Sequence, residues 1–368
     1  MVNYLETCSG KICPPHSPIL GKEGYKQRDS YWDTLKFILI FMVVFDHCLM
    51  VYRPDGGINR ALSNSFITIV MPIFIFVSGL FSKMKDRENY KHAILRIFET
   101  YVVFQTIRVG IKIIPGLMHD TVSLKSIAIA FLKPQLALWY LLCLCYWRVL
   151  ILYIPQKLLN NHPREILIVS FLISLLGGFI PVGASLTPHR AMTFIPFFFL
   201  GYYANANEVK KYIAKFPLSL SIGVLLLCFL LYLFVLNYDI KLIVCGNTSY
   251  WSVEGFSPLE LFIARVILLI SVTITSLAVM RLVPTKHTIF SQWGRITLFI
   301  YIYHTFAIDI LRFIFKHNYL PHSEWPLIVS PVIITMVLIS LSQIKFLNIL
   351  LNPISCLISL KTDSNRKV

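Results

Sequence analysis

The sequence has little charge for its length. Only 14% of its 368 residues are charged, whereas a typical soluble domain has about a quarter. Hydrophobic residues make up 56% of the chain, and the mean hydropathy is +0.69. These values exclude a soluble globular protein, a disordered chain and a disulfide-stapled secreted module. They indicate an all-α polytopic membrane protein.

Three further absences narrow the class of protein. Residues 1–30 hold no apolar core of a signal peptide, so we expect the first apolar run to stay in the membrane. No internal repeat is visible, which disfavours a secondary transporter. Cys8, Cys13 and His16 lack the second ligand pair of a zinc site, and we predict no metal. Four cysteines lie inside apolar runs, where a reduced thiol acts as a small hydrophobe: Cys48, Cys143, Cys145 and Cys228.

The basic excess is large, with 34 Lys and Arg against 18 Asp and Glu. Such a balance often indicates nucleic acid as a partner. Here most of the cations lie in the breaks between apolar runs, where the positive-inside rule accounts for them, so we predict no nucleic-acid partner. The same rule predicts that the N- and C-termini are both cytoplasmic.

Apolar runs recur along the chain and predict about ten transmembrane helices. They cover roughly 34–52, 63–82, 94–114, 135–154, 165–182, 191–204, 217–237, 258–280, 294–315 and 325–343. The predicted organisation is a cytoplasmic tail over 1–33 and a transmembrane domain over 34–345. A C-terminal interfacial segment and cytoplasmic tail follow over 346–368.

The first predicted helix carries ionisable residues at membrane depth. Lys36 and His47 are eleven positions apart, close to three whole turns, so they share a face and stand about 16 Å apart along the axis. Asp33 lies one turn below Lys36. One interpretation is a channel entered from the cytosol, in which a cation attracts an anionic ligand and a base lies at the far end. The other is that Lys36 reaches the headgroups and His47 hydrogen-bonds between helices.

The spacing of Lys36 and His47, preceded by Trp32 and Asp33, resembles the first-helix signature of the membrane-bound acyltransferase-3 superfamily. In that signature a basic residue and the catalytic His are separated by ten residues. Four further motifs match in order: MPIFIFVSGLFSKM (71–84), LWYLLCLCYWR (138–148), FIPFFFLGYY (194–203) and ITLFIYIYHTF (296–306). Within that superfamily the sequence resembles the fucose 4-O-acetylase-like acetyltransferases. Lys36 occupies the position at which Arg is more common in the superfamily. Its ammonium is a point charge, whereas the guanidinium of Arg is a planar group that can bind a phosphate through two donors.

The resemblance implies an integral membrane O-acyltransferase that uses cytosolic acetyl-CoA as co-substrate. His47 is then the general base, or a nucleophile that forms an acyl-His intermediate. The CoA phosphates would be bound by cations on the cytoplasmic side, namely Lys36, Arg96, Arg87 and Lys91. For each of these cations an inside-anchoring charge is the alternative interpretation.

The resemblance also implies that a glycan or lipid-linked sugar approaches from the outer half of the membrane, where membrane lipid surrounds the protein. Candidate acceptor-binding residues are His189, Arg190, Trp139 and His304. For Trp139 and Tyr140 an interfacial aromatic belt is the alternative. The predicted location is a cell inner membrane. A transporter or flippase for a lipid-linked saccharide remains a second hypothesis, because it too would explain a basic face and buried polar groups.

Two ion pairs are also expected among the buried charges. Asp309 and Arg312 are three positions apart on one predicted helix and should neutralise each other. Arg265 lies deep in an apolar run, and we expect it to pair with a carboxylate on another helix. The sequence identifies neither that carboxylate nor the partner of Asp46.

Overall fold

The computed structural model describes residues 29–52, 57–118, 123–234, 246–317 and 325–353, and the chain in these ranges is helical, without strands. Cys8, Cys13, His16 and the rest of the predicted N-terminal tail up to residue 28 lie outside them. The longer helices are α1 (Ser30–Tyr52), α2 (Gly57–Leu80), α3 (Arg87–Met118), α5 (Trp139–Tyr153), α7 (Pro163–Leu176), α8 (Pro188–Tyr203), α10 (Leu218–Phe234), α11 (Pro258–Leu282), α13 (Thr297–Lys316) and α14 (Trp325–Leu341). The shorter ones are α4 (Leu124–Leu132), α6 (Gln156–Asn161), α9 (Ala206–Ala214), α12 (Ile289–Trp293) and α15 (Lys345–Ile349).

Each of the ten predicted spans coincides with one of the longer helices. Five helical stretches in the described residues are long and apolar enough to cross a membrane: Ser30–Tyr52, Ala61–Leu80, Leu136–Tyr153, Pro258–Leu282 and Ile289–Lys316. A sixth candidate is the pair α9 and α10, which bends by 91° at a short break. The protein is therefore a multi-pass helical membrane protein.

Helix α1 lies at the centre of the bundle and packs against α2, α12, α13 and α14. The most extensive packing is between α2 and α8, where two glycines face each other's helices. A Cβ on Gly79 would overlap the backbone carbonyl of Phe198, and a Cβ on Gly201 would overlap that of Phe76. Small residues let two membrane helices approach to backbone contact, so these glycines set the spacing of α2 and α8.

Tertiary hydrogen bonds bring several helix ends together at one end of the bundle. The Tyr31 hydroxyl donates to the Met280 carbonyl at 2.7 Å, which joins the start of α1 to the end of α11. Arg281 donates to the carbonyl of Phe216 at 2.7 Å, just before α10. Lys210 of α9 forms an ion pair with Asp29. The start of α1, the turn into α10 and the end of α11 therefore lie on the same side.

The segment around α15 is docked onto the bundle. The Thr100 hydroxyl of α3 donates to the Leu351 carbonyl at 2.6 Å, and the Tyr303 hydroxyl of α13 donates to the Leu347 carbonyl at 2.8 Å. Leu351 is buried. The part of the predicted C-terminal segment that the structure describes, up to residue 353, is therefore fixed to α3 and α13, and residues 354–368 lie outside the description.

Candidate active site

Two imidazoles meet inside the bundle. His47 of α1 and His304 of α13 stack with their ring centroids 5.2 Å apart and their planes 20° apart. His47 is half-buried, whereas His304 is completely buried. The sequence predicted His47 to be the general base and His304 to bind the acceptor, and the structure brings the two residues together.

Helix α13 fixes the tautomer of His304. Its Nδ1 lies 3.1 Å from the Ile300 carbonyl one turn earlier. Because a carbonyl only accepts, Nδ1 carries the proton, and neutral His304 has its lone pair on Nε2. Nε2 is buried and has no hydrogen-bond partner among the described residues. A buried acceptor without a partner is costly, so it offers a ready site for a hydroxyl donor next to His47.

A row of aromatic rings leads from this pair to Arg190. The ring of Tyr301 lies 6.0 Å from His304 and 5.4 Å from Tyr140. Tyr140 contacts Trp139 at 6.3 Å, and the guanidinium of Arg190 lies 4.6 Å from the Trp139 ring centre. Three predicted substrate-binding residues, His304, Trp139 and Arg190, are thus linked to His47 by successive ring contacts. We call the row from His304 through Tyr301, Tyr140 and Trp139 to Arg190 the aromatic line.

The aromatic residues at the start of α5 belong to the interior. Trp139 and Tyr140 are each 9% exposed, and Trp139 stacks on Phe194 at 5.6 Å. Tyr140 exchanges a 2.5 Å hydrogen bond with the Ser78 hydroxyl of α2. The interfacial-belt interpretation is therefore wrong for both residues, since such a belt requires side chains at the lipid surface.

Lys36 lies on the same face of α1 as His47, because α1 is helical without interruption from Ser30 to Tyr52. Its ammonium forms a 2.6 Å ion pair with Asp33 one turn earlier. The Lys36 side chain is 18% exposed, and that of Asp33 is 5% exposed. The pair has no net charge, so an anionic ligand at Lys36 competes with a carboxylate already in place.

A model of one protein family, described as an acyltransferase domain, matches residues 29–343. The chain belongs to the acyltransferase-3 family. The match begins at Asp29, one residue before α1, and includes His47 and every residue of the aromatic line. A search of the curated proteins and a search of the solved structures gave no match.

The remaining predicted donor-binding cations of this acyltransferase lie along the first turns of α3. Arg87 is exposed at the helix start. Lys91 forms a 2.7 Å ion pair with Glu88 one turn earlier. Arg96 is half-buried, one turn before the Thr100 contact with the C-terminal segment. The cluster is accessible from the end of the bundle where α2 ends and α3 begins.

His189 is the one predicted acceptor-binding residue whose contact lies outside the aromatic line. It is buried, and its Nε2 lies 2.9 Å from the Val182 carbonyl in the segment before α8. This contact favours a structural role, in which His189 fixes the approach to α8 beside Arg190.

The acyltransferase also contains charged side chains at membrane depth that have partners the sequence did not identify. Asp46 accepts a short hydrogen bond from the Ser63 hydroxyl of α2. Asp309 pairs with Arg312, at 3.2 Å as predicted, but also with Arg108 of α3. The Arg108 guanidinium lies 4.0 Å from the Phe306 ring centre. This interhelical pair could have been predicted from the sequence, because Arg108 and Asp309 are opposite charges at membrane depth on two different helices.

The expected carboxylate partner of Arg265 is wrong for the described residues. Arg265 is 2% exposed, and its Nη1 donates to the Thr193 hydroxyl of α8 at 2.6 Å. The guanidinium lies 5.7 Å from the Tyr250 ring. A neutral hydroxyl and an aromatic face thus replace the carboxylate. Tyr250 lies outside the spanning helices, and burial raises the pKa of its hydroxyl, which donates to the Leu175 carbonyl at 3.0 Å.

Proposed function

We propose that this acyltransferase moves an acetyl group from cytosolic acyl-CoA to a hydroxyl of a cell-envelope or exported glycan, in a cell inner membrane. The observation that carries the proposal is the stacked His47–His304 pair, held by two helices inside a membrane bundle. Imidazole is the side chain best suited to proton transfer near neutral pH. Placement among the fucose 4-O-acetylase-like acetyltransferases is part of the same proposal.

The proposed topology has ten spans with both termini cytoplasmic. Its support is the gathering of helix ends described above, together with the 3.0 Å hydrogen bond from Lys83 after α2 to Ala204 after α8. In a ten-span arrangement whose helices alternate in direction, these helix ends fall on the same side of the membrane, and they are in contact. Lys83, Lys210 and Arg281 lie at that end, as the positive-inside rule requires of a cytoplasmic face.

In the proposed mechanism His47 is the general base. It takes the proton of the acceptor hydroxyl as the oxygen attacks the thioester carbonyl. The carbon–sulfur bond then breaks, and the proton passes from the imidazolium to the departing thiolate of CoA. The neutral ring of His304 accepts at Nε2 a hydrogen bond from a second, neighbouring hydroxyl of the acceptor, which orients the reacting hydroxyl toward His47.

A two-step route uses the same residues. His47 attacks the thioester itself and releases the CoA thiol, after which the glycan hydroxyl takes the acetyl group from the acyl-imidazole. The two routes predict different species on the protein, because only the second forms an acetylated His47.

The acceptor is proposed to lie along the aromatic line. Arg190 and Trp139 lie at its far end, and the hydroxyl acceptor His304 Nε2 lies at its near end. Tyrosine and tryptophan faces pack against sugar rings while their polar atoms bind hydroxyls. The arrangement suits a saccharide whose reacting hydroxyl reaches His47.

The direct test uses the full-length chain purified in lipid vesicles, with labelled acetyl-CoA and glycan-bearing envelope membranes. We expect label to enter the glycan as an alkali-labile O-acetyl ester. The complementary test is mass spectrometry of surface glycans from a deletion strain, which should lack one acetyl group. Saccharide movement across the vesicle membrane without consumption of acetyl-CoA would overturn the proposal and favour a transporter or flippase.

The donor site gives a prediction for ionic strength. If the cations Arg96, Arg87, Lys91 and Lys36 attract the CoA phosphates, the KM for acetyl-CoA should rise several-fold as salt increases from about 0.1 M to 1 M, because the Debye length falls from about 10 Å to 3 Å. The turnover at saturating donor should stay nearly constant. Arg96→Gln should raise the donor KM in the same way and flatten the salt dependence.

Two controls accompany this prediction. S-acetylpantetheine, which has no phosphate, should show no salt dependence. Lys112→Gln removes an exposed cation at the opposite end of α3 and should leave the donor KM unchanged. An Arg96→Gln variant with the parental donor KM would remove Arg96 from the donor site.

A further inference from the structure

Arg148 has the contacts of a ligand-binding arginine that no sequence motif assigned to a substrate. It lies near the end of α5 and is half-buried. Its Nε donates to the Ser82 hydroxyl at 3.2 Å, just past the end of α2. Neither terminal amino group makes a hydrogen bond among the described residues, and no carboxylate there pairs with it. A partly buried guanidinium with a free fork matches the geometry of a phosphate oxygen pair.

A second polar group beside Arg148 also has no partner. The ring of Tyr90, at the start of α3, lies 5.8 Å from the Arg148 guanidinium carbon. Tyr90 is 7% exposed, and its hydroxyl is buried with no hydrogen-bond partner within the described ranges. Buried hydroxyls are nearly always satisfied, so this one indicates a ligand atom that the protein alone does not supply.

We propose that Arg148 and Tyr90 bind a phosphate group of the acyl donor, with Ser82 as the positioning residue of the guanidinium, at the junction of α2, α3 and α5. This inference rests on the proposed acyl-CoA-dependent function and adds a specific anchor to it. The Arg148 fork donates to the phosphate oxygens, and the Tyr90 hydroxyl donates to a third. Ser82 orients the guanidinium through Nε, while its own proton goes to the Ser78 carbonyl at 2.5 Å.

The distance between this site and the His47–His304 pair is compatible with an acyl-CoA bound across both. Tyr140 and Arg148 are eight residues apart on α5, which is about 12 Å along the helix. Tyr140 belongs to the aromatic line that reaches His304 and His47. In CoA the extended pantetheine arm separates the phosphates from the thioester by more than this distance. A phosphate at Arg148 therefore leaves the thioester free to reach His47.

The charge balance of the neighbouring cations favours Arg148 as the anchor. Lys36 and Lys91 face carboxylates at 2.6 and 2.7 Å. The carboxylate within the same helical turn weakens the attraction of either lysine for a phosphate. Arg148 brings a full positive charge without such a neighbour, so the net attraction for an anion is larger there.

The test compares two donors on the full-length protein in vesicles. Arg148→Gln should raise the KM for acetyl-CoA by roughly ten-fold or more, with turnover at saturating donor changed by less than about three-fold. With S-acetylpantetheine the variant and the parent should have the same KM. Arg148→Lys should recover part of the loss, because it restores charge without the fork. Arg164→Gln, at an exposed arginine in the first turn of α7, is the matched control and should behave as the parent.

Tyr90→Phe keeps the ring and removes only the unpartnered hydroxyl, so it remains informative if Arg148→Gln fails to fold. We expect a several-fold rise in the acetyl-CoA KM together with unchanged or higher thermal stability. A purely structural Tyr90 would leave the donor KM unchanged. Tyr212→Phe, at an exposed tyrosine of α9, is its control.

The outcomes separate this inference from the function on which it rests. A parent protein that transfers no acetyl group from acetyl-CoA would overturn the proposed function. An active parent with equal acetyl-CoA KM in Arg148→Gln and Tyr90→Phe would overturn the phosphate site alone. If Arg148→Gln instead loses co-purified phosphatidylglycerol in native mass spectrometry, with unchanged affinity for CoA, the phosphate belongs to a lipid headgroup and the donor assignment is wrong.

Discussion

Replacing His47 with glutamine should lower acetyl transfer by at least about a hundred-fold, because positioned general bases contribute about 10² to 10⁴ to a rate. Glutamine keeps a polar side chain of similar length but cannot accept a proton at neutral pH. His47→Ala should be inactive as well. The measurement is labelled acetyl transfer from acetyl-CoA at saturating donor, with membrane insertion checked by expression level and gel filtration in detergent.

The matched control is His162→Gln, at an exposed histidine between α6 and α7, which should retain parental activity. Retention of activity within about two-fold by His47→Gln would reject both mechanisms proposed for His47. The mechanisms themselves separate when donor is added without acceptor and the reaction is quenched in acid. Acetyl-labelled protein at His47, detected by mass spectrometry, is expected only for the two-step route.

Gly201→Ala should strongly destabilise the protein. The added Cβ would overlap the Phe76 backbone carbonyl, so α2 and α8 must separate. Overpacking costs about 1–3 kcal/mol when side chains can yield, and here the obstacle is backbone on a second helix. We expect a fall in thermal stability in detergent and reduced activity, because α2 carries Ser78, the partner of Tyr140.

Gly79→Ala should reproduce this effect from the other helix, since its Cβ would overlap the Phe198 carbonyl. Gly223→Ala is the control: Gly223 is exposed on α10, and an added Cβ meets nothing within 4 Å. It should be neutral or slightly stabilising, because alanine favours helix by up to about 1 kcal/mol over glycine. Equal thermal stability of Gly201→Ala and Gly223→Ala would contradict the packing described for α2 and α8.

The sequence predicted the helices well and their ends less well. Hydropathy located all ten longer helices, because apolar length is a local property of the chain. It placed the third span at 94–114, whereas α3 runs from Arg87 to Met118. The first turns of α3 are charged, and a hydropathy pattern does not detect a helix that continues into water. The shortest predicted span, the Phe-rich 191–204, corresponds to α8, which lies deep in the bundle and carries Arg190 and Thr193.

The site was only partly predictable. The helical period alone places Lys36 and His47 on one face of α1. The pairing of His47 with His304 joins residues more than 250 positions apart, and it depends on how α1 packs against α13. The contacts of Arg265 and Arg148 with hydroxyls depend likewise on the packing of α8 and α2. Sequence spacing carries no information on such contacts. The prediction for Arg265 was wrong because it assumed that a buried arginine pairs with a carboxylate.

The docked segment around α15 bears on where the chain can be shortened. The family match ends at residue 343, which would invite truncation there. Such a cut would remove Leu347 and Leu351, whose carbonyls accept hydrogen bonds from Tyr303 and Thr100. Tyr303 immediately precedes His304, and Thr100 lies one turn after Arg96. A shortened protein would therefore loosen the two helices on which proton transfer and donor recruitment depend, although no residue of either site had been deleted.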